Sequence, residues 1–212
     1  MNNNRSNKIA LIIVLTFGIV LFYIGTDGFQ AFTAETARTN DLMAEQPAFP
    51  DVTLQDSKAR EYSCKEFEGK YVLMTFFYSA CTDVCPELEL NQAEVYNKIP
   101  DKYIGEDIVF LSISFDPKRD DVKILDKYRS YLKSDGETWR MVRIEDQNEL
   151  DNLLDAFGVI VIPDDTGNFT HNSAFYLADP NGKLIEVMDY KKTEEAATKV
   201  MTILEEEVGD KE

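Results

Sequence analysis

Two cysteines separated by three residues, and a single histidine, are the groups in this chain best suited to chemistry. Cys81 and Cys85 lie in Ala80-Cys81-Thr82-Asp83-Val84-Cys85-Pro86, and His171 is the only histidine among 212 residues. A thiolate is the form of cysteine that attacks disulfides and binds metals. The C-x-x-x-C spacing is one residue longer than the common redox C-x-x-C, which loosens the ring a disulfide must close and lets both sulfurs face one metal ion. The pair therefore reads as a redox-active dithiol, a possible disulfide, or two ligands of a metal. An inert staple is the plainer alternative, but across so short a loop it removes little unfolded-state entropy.

The elements around these residues follow from hydrophobic patterning. Residues 71–77 (Tyr-Val-Leu-Met-Thr-Phe-Phe) and 108–114 (Ile-Val-Phe-Leu-Ser-Ile-Ser) are near-continuous apolar runs, expected as central strands buried on both faces. Pro86 suits the first helical position, where a missing N–H costs nothing, so a helix is expected from 86 to about 99, before Pro100. Strand, helix and strand form a βαβ unit. A second helix is expected over 121–132, a short strand over 139–144, a helix over 148–157, a hairpin of 173–178 and 183–188 around Asn181-Gly182, and a closing helix over 193–208. Both cysteines then sit on the strand-to-helix loop, at a helix N-terminus whose partial positive charge favours thiolate.

Charge and the N-terminus bound the setting. A formal net charge of -17 excludes nucleic-acid binding as a main role, because neutralising phosphates needs basic residues and no basic patch is visible. Residues 9–24 carry no charge and follow Arg5 and Lys8. This places the N-terminus in the cytoplasm and the bulk of the chain outside the cell membrane, on a single-pass anchor. A cleaved secretory signal is the competing reading and exports the chain equally. The expected organisation is an anchor over 1–25, a tether over 26–46 without sustained periodicity, and a single α/β domain over 47–209.

In a thioredoxin-like layout the loop before the C-terminal hairpin lies beside the dithiol, and His171 falls on that loop. The resulting Cys81, Cys85 and His171 set, soft sulfurs with one nitrogen, suits copper as Cu(I) or Cu(II), one ion per domain. Three motifs in order then resemble the Sco/SenC family. The run from Gly69 to Pro86 is similar to its strand and C-x-x-x-C-P loop, Ser112 to Asp120 to its D-P-x-R-D turn, and His171 to Gly182 to its histidine and hairpin. The resemblance implies a thioredoxin-like fold with a central mixed sheet flanked by helices, and copper held by Cys81, Cys85 and His171. It also implies a role as an assembly factor or chaperone for the dinuclear copper centre of cytochrome c oxidase subunit II. The partner would be that subunit or another extracytoplasmic copper or thiol protein. The alternative is an extracytoplasmic thiol-disulfide oxidoreductase that reduces a partner's cysteines.

Other candidates rank lower. Cys64 reads as a small buried residue, Asp83 as an outer neighbour of the site, and Asp116 with Arg119 as a turn and surface ion pair. A peroxidase of the P-x-x-x-T/S-x-x-C type fails, since Met74 and Tyr78 occupy the positions proline would need.

Overall fold

The computed structural model describes residues 3–26 and 33–209. They divide into two compact units, up to Glu45 and from Gln46 onward.

The first unit holds helix α1 (Asn3–Gly25) and helix α2 (Ala34–Glu45). The stretch Asn7–Gly25 is long and apolar enough to cross a membrane, with a mean hydropathy of 2.4. It spans roughly 28 Å at about 1.5 Å per residue, more than residues 9–24 alone would reach. Helix α2 falls inside the segment 26–46 that is expected as a tether. The Thr33 hydroxyl accepts the Thr36 N–H at 3.1 Å, and Glu35 pairs with Arg38 one turn on. A cap and helix-forming residues, rather than an apolar stripe, specify this helix.

In the second unit, β1 (Thr53–Asp56), β2 (Glu61–Ser63), β3 (Tyr71–Phe77), β4 (Ile108–Ser114), β5 (Trp139–Arg143), β8 (Phe175–Ala178) and β9 (Leu184–Met188) form one sheet in the order β2-β1-β5-β4-β3-β8-β9. β3, β4 and β5 run parallel, whereas β8, β9, β1 and β2 join antiparallel. The sheet is therefore mixed, as expected. β6 (Val161–Pro163) and β7 (Phe169–His171) form a separate two-stranded ribbon.

Every residue of β3 and β4 is buried, because helices cover both faces. From β3, Phe77 stacks on Tyr128 of α4 (Val122–Leu132), while Phe76 turns the other way, onto Phe157 beyond α5 (Gln147–Ala156) and onto Tyr176. Helix α3 (Val84–Lys98) links β3 to β4 and packs against β3, α4 and α6 (Thr193–Gly209). α3 starts two residues before Pro86, with Asp83 as its N-cap. Proline fits there too, since none of the first-turn N–H groups has a partner inside the helix. The β8–β9 hairpin closes through the turn Asp179-Pro180-Asn181-Gly182, as expected, with the Gly182 N–H donating to the Asp179 carbonyl at 2.8 Å. There the Asp179 carboxylate accepts the N–H groups of Asn181 and Lys183 at 2.9 and 2.8 Å, and Gly182 takes φ +78°.

Candidate metal centre

The loop that carries Cys81 is held by its own turn and by Asp120. Cys81 N–H donates to the Tyr78 carbonyl at 3.2 Å, making a turn directly after β3. The Ser79 N–H and hydroxyl both donate to the carboxylate of Asp120, which also accepts the Ser114 hydroxyl at 2.5 Å. Asp120 is fully buried. It ties the cysteine loop to the end of β4, so the loop's position is set by a residue 41 positions from Ser79.

Cys85 is the second residue of α3 and is fully buried, whereas Cys81 is half-buried. The Cys85 N–H points at the Cys81 sulfur at 3.4 Å, as expected of a free N–H in the first helical turn. The Cys85 sulfur lies 3.3 Å from His171 Nε2. His171 Nδ1 is 2.9 Å from the Asn172 carbonyl. A carbonyl only accepts, so Nδ1 carries the ring proton and Nε2 presents its lone pair to Cys85. The imidazole is held by a ring contact with Phe115 at 4.9 Å and a second with Tyr78 at 6.4 Å. His171 ends β7 instead of lying on a free loop, and pairs with Val161 across the ribbon.

The three ligand atoms lie within 4.8 Å of one another, close enough to hold one metal ion. The donor set fits copper in chemical terms: two soft sulfurs and an imidazole nitrogen already in its neutral, ligating form. Both cysteines are free thiols in this structure.

Electrostatically the two thiols differ. Burial pushes Cys81 up, but the N–H groups of Cys85 and Asp83, the Cys85 side chain and the Tyr78 hydroxyl outweigh it, and its pKa falls below the ordinary thiol value. Burial drives Cys85 far up, and the charges of Cys81 and Glu89 add to the rise. Burial lowers His171, with the Asn172 carbonyl working against it. The site thus holds a thiolate-prone sulfur at the surface and a protonated one beneath it. A nucleophile and a resolving thiol, or two ligands of which one must shed its proton, are both served by that arrangement.

Asp83 caps α3 by position only, with no side-chain bond to the helix. Asp116 and Arg119 do pair. Arg119 is more than a surface partner, however, because its guanidinium lies over the rings of Tyr78 at 5.6 Å and Phe169 at 5.3 Å. Tyr78, Asp120, Phe115 and Phe169 were not singled out by the sequence reading. The Ser-Phe-Asp-Pro-Lys-Arg-Asp run marked that turn, but not that both of its acids, Asp116 and Asp120, are buried. Cys64 is only half-buried, because its side chain borders a cavity of about 140 Å³, and its sulfur donates to the Pro50 carbonyl at 3.2 Å. It is not part of the metal-capable group.

Residues 41–205 match the SCO1/SenC family model. The chain belongs to the SCO1/SenC family. The SCO1 protein homolog of Bacillus subtilis (strain 168) is 27% identical over 144 residues, covering 67% of this chain and 72% of that protein. Among solved structures, Bradyrhizobium japonicum ScoI with copper bound has a TM-score of 0.59 at 24% identity, covering 73% of this chain and 98% of that one. Yeast Sco1 with copper bound has a TM-score of 0.60 at 24% identity, covering 74% and 87%. These family structures establish the thioredoxin-like fold.

Proposed function

We propose that this chain is a copper-binding assembly factor. It takes one copper ion as cargo on Cys81, Cys85 and His171 and passes it to the dinuclear copper centre of cytochrome c oxidase subunit II. The observation that carries the reading is the convergence of two sulfurs and a bare imidazole nitrogen within 4.8 Å, with the histidine tautomer already set for ligation. Copper, when bound, supplies a soft acceptor for both thiolates. Cys81, whose pKa lies below the ordinary thiol value, gives up its proton more readily than Cys85, and His171 needs no change of protonation. Release follows by ligand exchange, one sulfur at a time, with no turnover by the chain itself. Helix α1 anchors it in the cell membrane as a single span, with the cytoplasm on the Arg5 and Lys8 side and the domain outside.

A second reading is favoured by the unequal thiols. A thiolate-prone Cys81 above a protonated Cys85 is the pattern of an attacking and a resolving thiol, so the domain would reduce a partner's disulfide.

Titrating the full chain in detergent with copper, in the reduced and the disulfide forms, tests the first reading. One equivalent bound by the reduced form alone, and lost in His171→Ala, is the expected result. Tight copper binding that ignores both oxidation and His171→Ala would sink the ligand assignment. Disulfide reduction surviving His171→Ala while copper binding fails would show that the chain performs both roles separately.

A further inference from the structure

His171 ends β7, and the residue after it, Asn172, makes three hydrogen bonds that decide how the imidazole stands. The ribbon of β6 and β7 is laddered from its turn: the Asp164 N–H donates to the Asn168 carbonyl at 2.8 Å, and Ile162 lies opposite Thr170. Bonded pairs alternate along an antiparallel ladder, so after Asp164 with Asn168 and Ile162 with Thr170 the next is Ile160 with Asn172. At that rung a side chain replaces the main chain. The Ile160 N–H donates to Asn172 Oδ1 at 2.7 Å. Asn172 Nδ2 donates in turn to the Gly158 carbonyl at 3.2 Å, just past the end of α5. An N–H must meet the amide oxygen and a carbonyl the amide nitrogen, so this amide has one orientation. The main-chain carbonyl of Asn172 is left to accept His171 Nδ1–H at 2.9 Å.

We propose that Asn172 is a positioning residue of the metal site: its side-chain amide closes the ribbon on Ile160 and Gly158, leaving its main-chain carbonyl to hold His171 Nδ1–H and aim Nε2 at Cys85. Without the amide, the Ile160 N–H and the imidazole compete for one carbonyl. The Ser173 hydroxyl, 3.4 Å from the same ring nitrogen, then has the chance to donate to it and send the ring proton to Nε2. A protonated ring nitrogen has no lone pair for a metal, so that imidazole must exchange its proton before it ligates. Second partners of this kind fix the tautomer and orientation of a ligating histidine. Alanine at position 172 keeps the peptide carbonyl and deletes only the amide, whereas aspartate keeps an acceptor for the Ile160 N–H. The role in the metal site rests on the copper reading; the tautomer of the metal-free ring does not.

The test is nitrogen-15 NMR of the metal-free full chain in detergent at pH 8, where the imidazole is neutral. His171 is the only histidine, so its two ring nitrogens give an unshared pair of signals. In the wild type, Nδ1 is expected to show the shift of a protonated ring nitrogen and Nε2 that of a bare one. Asn172→Ala is expected to lower the ratio of the Nδ1–H to the Nε2–H form roughly fivefold, the size of one ordinary hydrogen bond. Asn172→Asp is expected to keep the wild-type ratio. A ratio unchanged in Asn172→Ala, or shifted equally in both variants, overturns the proposal. Copper titration of the same proteins is the second readout. Asn172→Ala is expected to bind copper several-fold more weakly than the wild type, and equal affinity would overturn the role in the metal site. A wild type that takes no copper would sink the copper reading alone, since the tautomer ratios are read without metal.

Discussion

Cys64 and Cys81 are the same residue type at the same half-buried depth, yet only one is built to react. The Cys64 sulfur faces a carbonyl, its thiol is pushed up by burial, and the acid of Asp51 adds to that rise. The Cys81 sulfur accepts the Cys85 N–H at the start of α3 at 3.4 Å, and its polar surroundings overcome burial. Reactivity here is a matter of what the sulfur looks at, not of how much water it sees. Cys85 sharpens the contrast, since it is more deeply buried than either and is nonetheless useful, because His171 Nε2 stands 3.3 Å away.

The largest expected effect on this comparison comes from removing sulfurs one at a time. Cys81→Ser or Cys85→Ser is expected to abolish stoichiometric copper binding, whereas Cys64→Ser should leave it unchanged in the same titration. A loss of binding in Cys64→Ser would erase the distinction.

Next in size is an effect behind the site. Glu89, one turn after Cys85 on α3, is fully buried, and its oxygens lie 2.7 Å from the Thr75 hydroxyl and 2.5 Å from that of Ser112. The same two hydroxyls also approach Gln92 Oε1, at 2.6 and 3.0 Å. The Gln92 amide nitrogen faces the carbonyls of Leu73 and Leu111, so its oxygen must face the hydroxyls. Two hydroxyl protons cannot serve four such contacts, and a proton on Glu89 supplies a third donor. Burial accordingly raises this acid to about 7 from the ordinary 4.5, against the lowering pull of the Ser112 and Thr75 hydroxyls.

The folded state then binds the Glu89 proton more tightly than the unfolded chain does. The stability this contributes is present below pH 4.5 and is lost as pH rises through 7, amounting to roughly 3 kcal/mol. Denaturant unfolding of the wild type and Glu89→Gln at pH 5 and pH 8 checks the sign. The wild type should lose more stability than the variant over that interval, and an equal loss in both would remove Glu89 as the cause.

A smaller effect separates the thiols kinetically. At neutral pH, iodoacetamide is expected to label Cys81 roughly tenfold faster than Cys64, because more of Cys81 is thiolate. Peptide mapping of partly labelled, metal-free chain reads this directly, and equal rates would mean that the N–H groups around Cys81 do not act as described. Smallest of all, Cys64→Ser should change unfolding stability by no more than about 1 kcal/mol, since only one weak sulfur bond is exchanged for a hydroxyl bond.

Much of the framework was legible in the sequence for identifiable reasons. β3 and β4 announced themselves because both faces of a parallel strand are covered, which leaves an uninterrupted apolar run. Pro86 and the cysteines before it marked the loop that feeds α3. The short strands β1, β2, β6 and β7 escaped notice, as runs of three or four residues carry too little alternation to register. Helix α2 escaped because its signal is a threonine cap and local propensity. The three residues that converge were visible in the sequence, and the groups that support them were not. Tyr78 meets Phe169 across 91 positions and Ser79 meets Asp120 across 41, and no local pattern records which distant groups a folded loop will find.

X-ray absorption at the copper edge of the copper-loaded full chain, with and without His171→Ala, tests the central claim most directly. The account predicts one copper with two sulfur neighbours and one nitrogen from imidazole, and loss of the imidazole signature in the variant. A spectrum with sulfur neighbours only, identical in the two proteins, would contradict it.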